Sequence, residues 1–203
     1  MIELVNVKQK RGNDQFNIQI KPGSMICITG DYRNHLLRIL AGLDMPYEGN
    51  VVVNNKNIVQ MKEDARTNFR RRYISYLYNS DNLINHLSVK DNIILVNQLD
   101  GESVDSNKFL KVLDQLHISK DMLELYPSAL STLQKFIVAL ARGLVSNHQF
   151  FFVEDLDLIQ NIRYIEDYLI TLKIINQTNN ITVVVTLANS KEWFSIFDQK
   201  ITC

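Results

Sequence analysis

Ser24-Met25-Ile26-Cys27-Ile28-Thr29-Gly30, then Asp31-Tyr32-Arg33-Asn34-His35, then the helix-like Leu36-Leu37-Arg38-Ile39-Leu40-Ala41-Gly42-Leu43-Asp44 form the stretch that decides the fold class. The first run is nearly unbroken in apolar residues, as a strand must be when helices cover both faces of a parallel sheet. Phe150-Phe151-Phe152-Val153 and Thr182-Val183-Val184-Val185-Thr186 repeat that pattern and add strands to the same sheet. Residues 1–24 differ, with alternating apolar positions at Ile2, Leu4, Val5 and Val7 and then Phe16, Ile18 and Ile20. With Val51-Val52-Val53 and the hairpin-turn residues Asn54-Asn55-Lys56, they predict a small antiparallel sheet at one edge. Between about 86 and 134 the period becomes helical, with Leu110, Val112, Leu113 and Leu116 on one face and Asp105/Ser106 as a start signal. The class is α/β with a helical insert.

Length and composition narrow the function. The 203 residues, 46% hydrophobic, suffice for one substantial core. With 22 basic and 22 acidic side chains the formal net charge is zero, which argues against a nucleic-acid partner. The two cysteines, Cys27 and Cys203, suggest neither a disulfide framework nor a metal site, and a reducing cytoplasm fits. No run of about 18 apolar residues and no export signal is present, so membrane attachment is expected only through a partner.

A strand, a loop and a helix in succession is also a common grip for phosphate. Such a loop needs small residues, so that consecutive N–H groups point inward, plus a lysine and a hydroxyl for the terminal phosphates and magnesium. Asp31 to His35 supply none of these, and seven glycines are few for a chain with several backbone-to-phosphate sites.

Several segments nevertheless follow one known order: Ile2 to Val7; Ile20-Lys21-Pro22-Gly23-Ser24; Ile39 to Asp44 with Pro46 and Gly49; and Arg70 to Asn79 with Asn82-Leu83-Ile84 and Leu87 to Ile93. Then come Tyr126-Pro127-Ser128-Ala129-Leu130-Ser131, Ala139 to Leu144, and Phe150 to Asp155. Over almost its whole length the chain resembles the ATP-binding subunit of an ABC transporter, and over 70–93 particularly the lipoprotein-release and macrolide-export branch. The resemblance implies a single ABC ATP-binding domain over 1–203, with a P-loop NTPase-like core (1–85 and 135–203) around a mostly parallel sheet. It also implies an N-terminal antiparallel β edge, a helical insert over about 86–134, and a cytoplasmic place at the inner face of a membrane through a partner.

The family's nucleotide positions depart from its pattern one by one. Read without gaps from Gly30, its Gly, Lys and Ser/Thr fall on His35, Leu36 and Leu37; with a three-residue deletion, Arg33, Asn34 and His35 stand where Lys, Ser and Thr usually do. Arg33 could then still meet a phosphate, although it replaces a compact ammonium poorly. Gly30, Arg33, Asn34, His35 and Asn79 are thus the remaining nucleotide-contact candidates. Asn79 holds the Q-loop position, and equally reads as an exposed loop residue after a strand. The Leu-Ser-Gly-Gly-Gln signature becomes Leu130-Ser131-Thr132-Leu133-Gln134, in which Ser131 and Gln134 also read as helix-start residues. The magnesium-ligating Asp and the water-polarising Glu become Glu154 and Asp155, and the switch histidine becomes Leu187. Without a metal, two acids at a strand end read as helix-cap or solvent-facing groups. Lys10-Arg11-Gly12 lacks the adenine-stacking aromatic, and Arg70-Arg71-Arg72 reads as a solvated helix end.

Two functional readings follow from the resemblance. One is a pseudo-ATPase without catalytic residues, metal or cofactor, with Glu154, Asp155 and Leu187 vestigial. It would be a structural or regulatory partner of a membrane permease or of an active ATP-binding subunit, in a homo- or heterodimer. Its docking surface would be Asn79, Leu83, Ile84 and Leu87, the leucines and isoleucine reading equally as packing beneath the insert. The other is an ABC ATPase that still binds ATP and Mg at a degenerate site and powers transport.

Overall fold

The computed structural model describes residues 1–9, 15–78, 82–156, 162–188 and 191–203. They divide into two compact units, one of Met1–Tyr76 with Gln149–Cys203 and one of Leu77–His148.

The first unit is organised by β3 (Met25–Thr29), whose five residues are all buried. It pairs in parallel with β8 (Thr182–Thr186) and β9 (Gln199–Thr202), and β8 pairs in parallel with β7 (Phe150–Val153). With β6 (Ile74–Leu77) the sheet order is β6-β7-β8-β3-β9. Val153 lies beside Val185 and Ile28 beside Thr186, so the carboxyl ends of β7, β8 and β3 lie at one edge. In open parallel sheets that edge is where ligands bind. Helix α1 (Arg33–Leu40) leaves it and buries Leu36, Leu37, Ile39 and Leu40. The expected link Asp31–His35 is shorter than its sequence suggests, because Arg33, Asn34 and His35 already form the first turn of α1.

An antiparallel sheet in the order β2-β1-β4-β5 completes the expected edge, from β1 (Ile2–Lys8), β2 (Gln15–Ile20), β4 (Glu48–Val53) and β5 (Lys56–Asn57). Asn54 and Asn55 both have positive φ, 50° and 61°, the backbone of a two-residue hairpin turn. Simple alternation would not bury Ile2, Leu4 and Val7 together, since 7 has the wrong parity. A bulge resolves this. Between Leu4 and Val7 β1 carries one residue more than β2, with Asn6 at φ 52°. The Asn6 N–H donates to Asn17 Oδ1 at 2.8 Å and its own Oδ1 accepts from Gln15 Nε2 at 2.7 Å. Gly49 lets β4 approach this bulge: its φ is 94°, and a Cβ there would stand 2.3 Å from the Asn6 carbonyl oxygen. Helix α2 (Glu63–Tyr73) leads directly into β6; Arg71 and Arg72 are exposed, while Arg70 pairs with Glu63 at 3.3 Å and donates to the Gly42 carbonyl at 2.6 Å. Helix α6 (Ile162–Asn179) belongs to the same unit.

The second unit is helical. Helix α3 (Val89–Leu99) is capped by Ser88, α4 (Ser106–Gln115) by Asp105 as its sequence predicts, and α5 (Thr132–Val145) by Ser131. Both α3 and α4 pack on α5. The insert expected over about 86–134 lies inside this unit, which also encloses α5. Among the described residues no helix is long and apolar enough to cross a membrane.

Gly49→Ala should destabilise the fold by about 2 kcal/mol or more, through a side chain in the left-handed region and overpacking against Asn6. Urea unfolding measures it, and a loss under about 0.5 kcal/mol would mean that the bulge is not held by this close approach.

Candidate functional site

Only Gly30, Asp31 and Tyr32 separate β3 from α1. Gly30 has φ 104°, and a Cβ on it would stand 1.6 Å from the carbonyl oxygen of Cys203. The turn closes on itself. The Arg33 N–H donates to the Gly30 carbonyl at 3.4 Å and the Leu36 N–H to the Tyr32 carbonyl at 3.0 Å, while the Tyr32 side chain caps nothing.

The first turn of α1 faces a carboxylate that comes from the end of β7, two strands away along the same sheet edge. Asp155 follows β7, and β8 lies between β7 and β3. Its φ of 48° is left-handed, a conformation that Asp tolerates better than most residues. The Asp155 N–H donates to Thr186 Oγ1 at 2.7 Å, which fixes this turn to the last residue of β8. Arg33 then donates to Asp155 Oδ1 from Nε at 3.1 Å and from Nη2 at 2.9 Å, and from Nη1 to the Gly30 carbonyl at 3.1 Å. Asn34 Nδ2 donates to Asp155 Oδ2, and Asn34 Oδ1 is a buried acceptor without a partner. The side chains of Arg33 and Asp155 are 18% and 16% exposed, between a screened surface pair and a fully desolvated one. Breaking such a pair costs about 1–3 kcal/mol, above the typical surface value and below the buried one.

Glu154 accepts a hydrogen bond from the Tyr76 hydroxyl. The two acids expected to cap a helix or face solvent are instead half-buried and bonded, Glu154 to Tyr76 and Asp155 to Arg33 and Asn34. His35 Nδ1 lies 2.8 Å from Oε1 of the buried Gln9; an amide oxygen only accepts, so the ring nitrogen carries the hydrogen. Leu187 is fully buried, its N–H bonded to the Ile28 carbonyl at 3.1 Å. Arg33, Asn34 and Asp155 thus come together, Gly30 joins them through its carbonyl, and Glu154, His35 and Leu187 are engaged elsewhere.

In the second unit Ser131 and Gln134 close a reciprocal capping box, Gln134 N–H to Ser131 Oγ at 3.2 Å and Ser131 N–H to Gln134 Oε1 at 2.9 Å. Leu83, Ile84 and Leu87 are half-buried. Their segment is held by the fully buried Asn92, whose Oδ1 accepts from the Ile84 N–H at 2.8 Å and whose Nδ2 donates to the carbonyls of Ile84, Leu87 and Ser88. Arg142 donates to the Asn82 carbonyl at 2.9 Å, and burial lowers the pKa of its guanidinium. Asn79, and with it that part of the expected docking surface, lies outside the described residues. Among the described residues no group of three or more His, Cys, Asp or Glu converges as a metal site. Sequence reading gave no role to Thr186, Tyr76, Gln9 or Asn92; Tyr76 and Asn92 lie in segments that carry the family resemblance, Thr186 stands at a strand end, and Gln9 had no signal.

Residues 14–155, well over half of the chain, match the ABC transporter family. The chain belongs to that family. An uncharacterized ABC transporter ATP-binding protein from Methanocaldococcus jannaschii is 30% identical over 76% of this chain and 75% of its own length. This ABC domain spans 56% of a sulfate/thiosulfate import ATP-binding protein from Mesostigma viride and 29% of a relative from Mycoplasma pneumoniae. The dimeric cassette MJ0796 bound to ADP and Pi superposes with a TM-score of 0.75 at 25% identity, over 97% of this chain and 90% of that one. CbiO1 from Clostridium perfringens, part of the transporter complex cbiONQ, gives 0.84 over 99% and 83%, and at 15% identity it attests the fold alone. The α/β architecture described above is therefore that of ABC cassettes.

A double-mutant cycle on Arg33→Ala and Asp155→Gly, the glycine keeping the left-handed backbone accessible, should give a coupling of about 1–2 kcal/mol. Denaturant unfolding of the four proteins checks this; a coupling below about 0.3 kcal/mol would reduce the contact to a screened surface pair. Ser131→Ala should cost about 1 kcal/mol through loss of the cap, and Ser131→Asp should retain most of the stability.

Proposed function

We propose that this ABC domain is a non-hydrolysing subunit, a structural or regulatory partner of a membrane permease or of a second, active ATP-binding subunit. The observation that carries the reading is the Arg33–Asp155 pair. The two side chains that could have served as phosphate donor and general base are bonded to each other. A general base must reach its water, and a phosphate donor must face its ligand. Three further features agree. The turn at Gly30–Tyr32 returns the Arg33 N–H to the Gly30 carbonyl instead of turning consecutive N–H groups inward. Leu187 offers no polar group to a γ-phosphate. Ser131 and Gln134 bond to each other, and the signature glycines are replaced by Thr132 and Leu133. The residues present do not fit Mg-ATP: the loop has no small-residue cradle, and Arg33 and Asn34 already hold a carboxylate.

The partner assignment rests on family likeness, since MJ0796 was solved as a dimer and CbiO1 belongs to a larger transporter complex. The proposed contact surface includes Asn79, Leu83, Ile84 and Leu87, with the backbone of Ile84 and Leu87 held in place by Asn92. On this reading the domain sits at the cytoplasmic face of a membrane through its partner. A second reading, in which ATP and Mg still bind and power transport, is favoured by likeness to a cassette bound to ADP and Pi. It requires Arg33 and Asn34 to leave Asp155 when nucleotide arrives.

Thermal unfolding with and without excess Mg-ATP separates the two. A ligand at about a hundred times its dissociation constant stabilises the folded state by roughly 2.7 kcal/mol. No shift is expected at millimolar nucleotide; a shift of that size, with phosphate release by the purified chain, would overturn the proposal in favour of the second reading.

A further inference from the structure

Three large apolar side chains stand in solvent on the loop between α1 and β4. Leu43, Met45 and Tyr47 are 36%, 44% and 69% exposed, and Tyr47 is the most exposed large hydrophobic side chain among the described residues. The loop that carries them is bonded into the protein. The N–H groups of Gly42, Leu43, Asp44 and Tyr47 donate to carbonyls of Ile39, Arg38 and Lys8 at 2.8–3.2 Å, and Pro46 has no N–H to satisfy. Arg70 donates to the Gly42 carbonyl at 2.6 Å, and Arg66 Nη1 to Met45 Sδ at 3.2 Å. The adjoining acids are paired, Asp44 with Arg38 at 2.8 Å and Glu48 with Lys8 at 2.6 Å. Polar groups bonded in this way can leave water without the penalty of unmade hydrogen bonds.

Charge separates this loop from other exposed apolar side chains. Leu125 and Tyr126 follow Asp121 and Glu124, and Ile170 and Ile174 follow Glu166 and Asp167, so acids stand beside them. The 43–47 loop instead packs on α2, which carries four arginines against two acids. One of those acids, Glu63, accepts from both Arg66 and Arg70, while Arg71 and Arg72 in the last turn are exposed. Apolar and aromatic side chains projecting beside a surplus of cations suit the boundary of an anionic bilayer, where the first enter among the headgroups and the second meet their negative charge. A projecting tip also suits a fluid surface that closes around it, whereas a folded protein partner would need a matching hollow.

We infer that the 43–47 loop and the arginines of α2 contact an anionic lipid surface, with Leu43, Met45 and Tyr47 entering the headgroup boundary and Arg71 and Arg72 facing lipid phosphates and carboxylates. The contact goes beyond the proposed function, in which a protein partner alone brings the domain to a membrane. A formal net charge of zero agrees with attraction confined to one patch.

Flotation of the full chain with vesicles tests it, using phosphatidylcholine alone and an equal mixture of phosphatidylcholine and phosphatidylserine. The native chain should bind the mixed vesicles at least about tenfold more tightly than the neutral ones, and high salt should remove most of that difference. Arg71→Gln/Arg72→Gln and, separately, Met45→Gln/Tyr47→Ser should each weaken binding to the mixed vesicles at least about fivefold. All four side chains are exposed, so both variants should fold, which melting curves check. Tyr47→Trp supplies a second readout, a blue shift of emission on mixed vesicles beyond that of the native chain, in which Trp193 gives the background. Equal binding to both vesicle types, binding unchanged in either double variant, absence of the shift, or no binding at all would overturn the inference. Self-association of the native chain in sedimentation, abolished by Met45→Gln/Tyr47→Ser without any vesicle binding, would overturn it in favour of a second copy on this surface. No nucleotide enters these measurements, so their failure leaves the proposed function standing, and a Mg-ATP shift in the native chain leaves this contact standing.

Discussion

One carboxylate joins three adjacent strand ends. Asp155 follows β7, takes its donors from the first turn of the helix that follows β3, and is oriented by Thr186 at the end of β8. Removing Asp155 would leave a guanidinium partly shielded from water with its charge uncompensated; removing Arg33 would leave a half-buried carboxylate with one amide donor. Either outcome is worse than the intact pair, because a lone charge away from water costs more than the pair contributes. The strained backbone of Asp155 persists for the same reason, since a left-handed non-glycine residue survives only where its surroundings over-determine it.

The antiparallel sheet solves a comparable problem without charge. Burying Ile2, Leu4 and Val7 on one face requires an extra residue in β1, and Asn6 supplies it in a left-handed turn whose polar groups find Asn17 and Gln15. The cost is close packing against β4, which only glycine at position 49 allows. In both sheets an irregular backbone residue is tolerated because a particular neighbour accommodates it.

What the sequence made legible is what burial dictates over short range. Strands covered on both faces must be apolar throughout, so 25–29, 150–153 and 182–186 were readable, and so were the Asp105 cap and the Asn54-Asn55 turn, which act within a few residues. The pairing of Arg33 with Asp155 was not. The two are separated by 122 positions, and only the parallel register of β7, β8 and β3 brings them together; in sequence Asp155 resembled a solvent-facing acid. The bulge at Asn6 was equally hidden, because alternation through Leu4 and Val5 gives no sign of where parity changes.

Fold and site respond to substitution on different scales, so a cassette architecture can coexist with residues that depart from the family's pattern at its nucleotide positions. The sheet is held by the fully buried strands β3, β7 and β8 and by Leu36, Leu37, Ile39 and Leu40 on α1, none of which needs a phosphate. The positions matched to the family's nucleotide contacts lie mostly at strand ends and at the starts of α1 and α5, where a changed residue loses a ligand contact but little core burial. Each described candidate has an intramolecular partner: Arg33 and Asn34 in Asp155, Glu154 in Tyr76, His35 in Gln9, Ser131 in Gln134, Leu187 in the core. The contacts of Arg33, Asn34, Glu154 and Asp155 stabilise one arrangement of the strand ends. A cassette that cycles with nucleotide needs at least two arrangements of comparable free energy. The mutual satisfaction of these groups is what the proposed non-hydrolysing reading rests on, since each contact would have to break before a second arrangement could form.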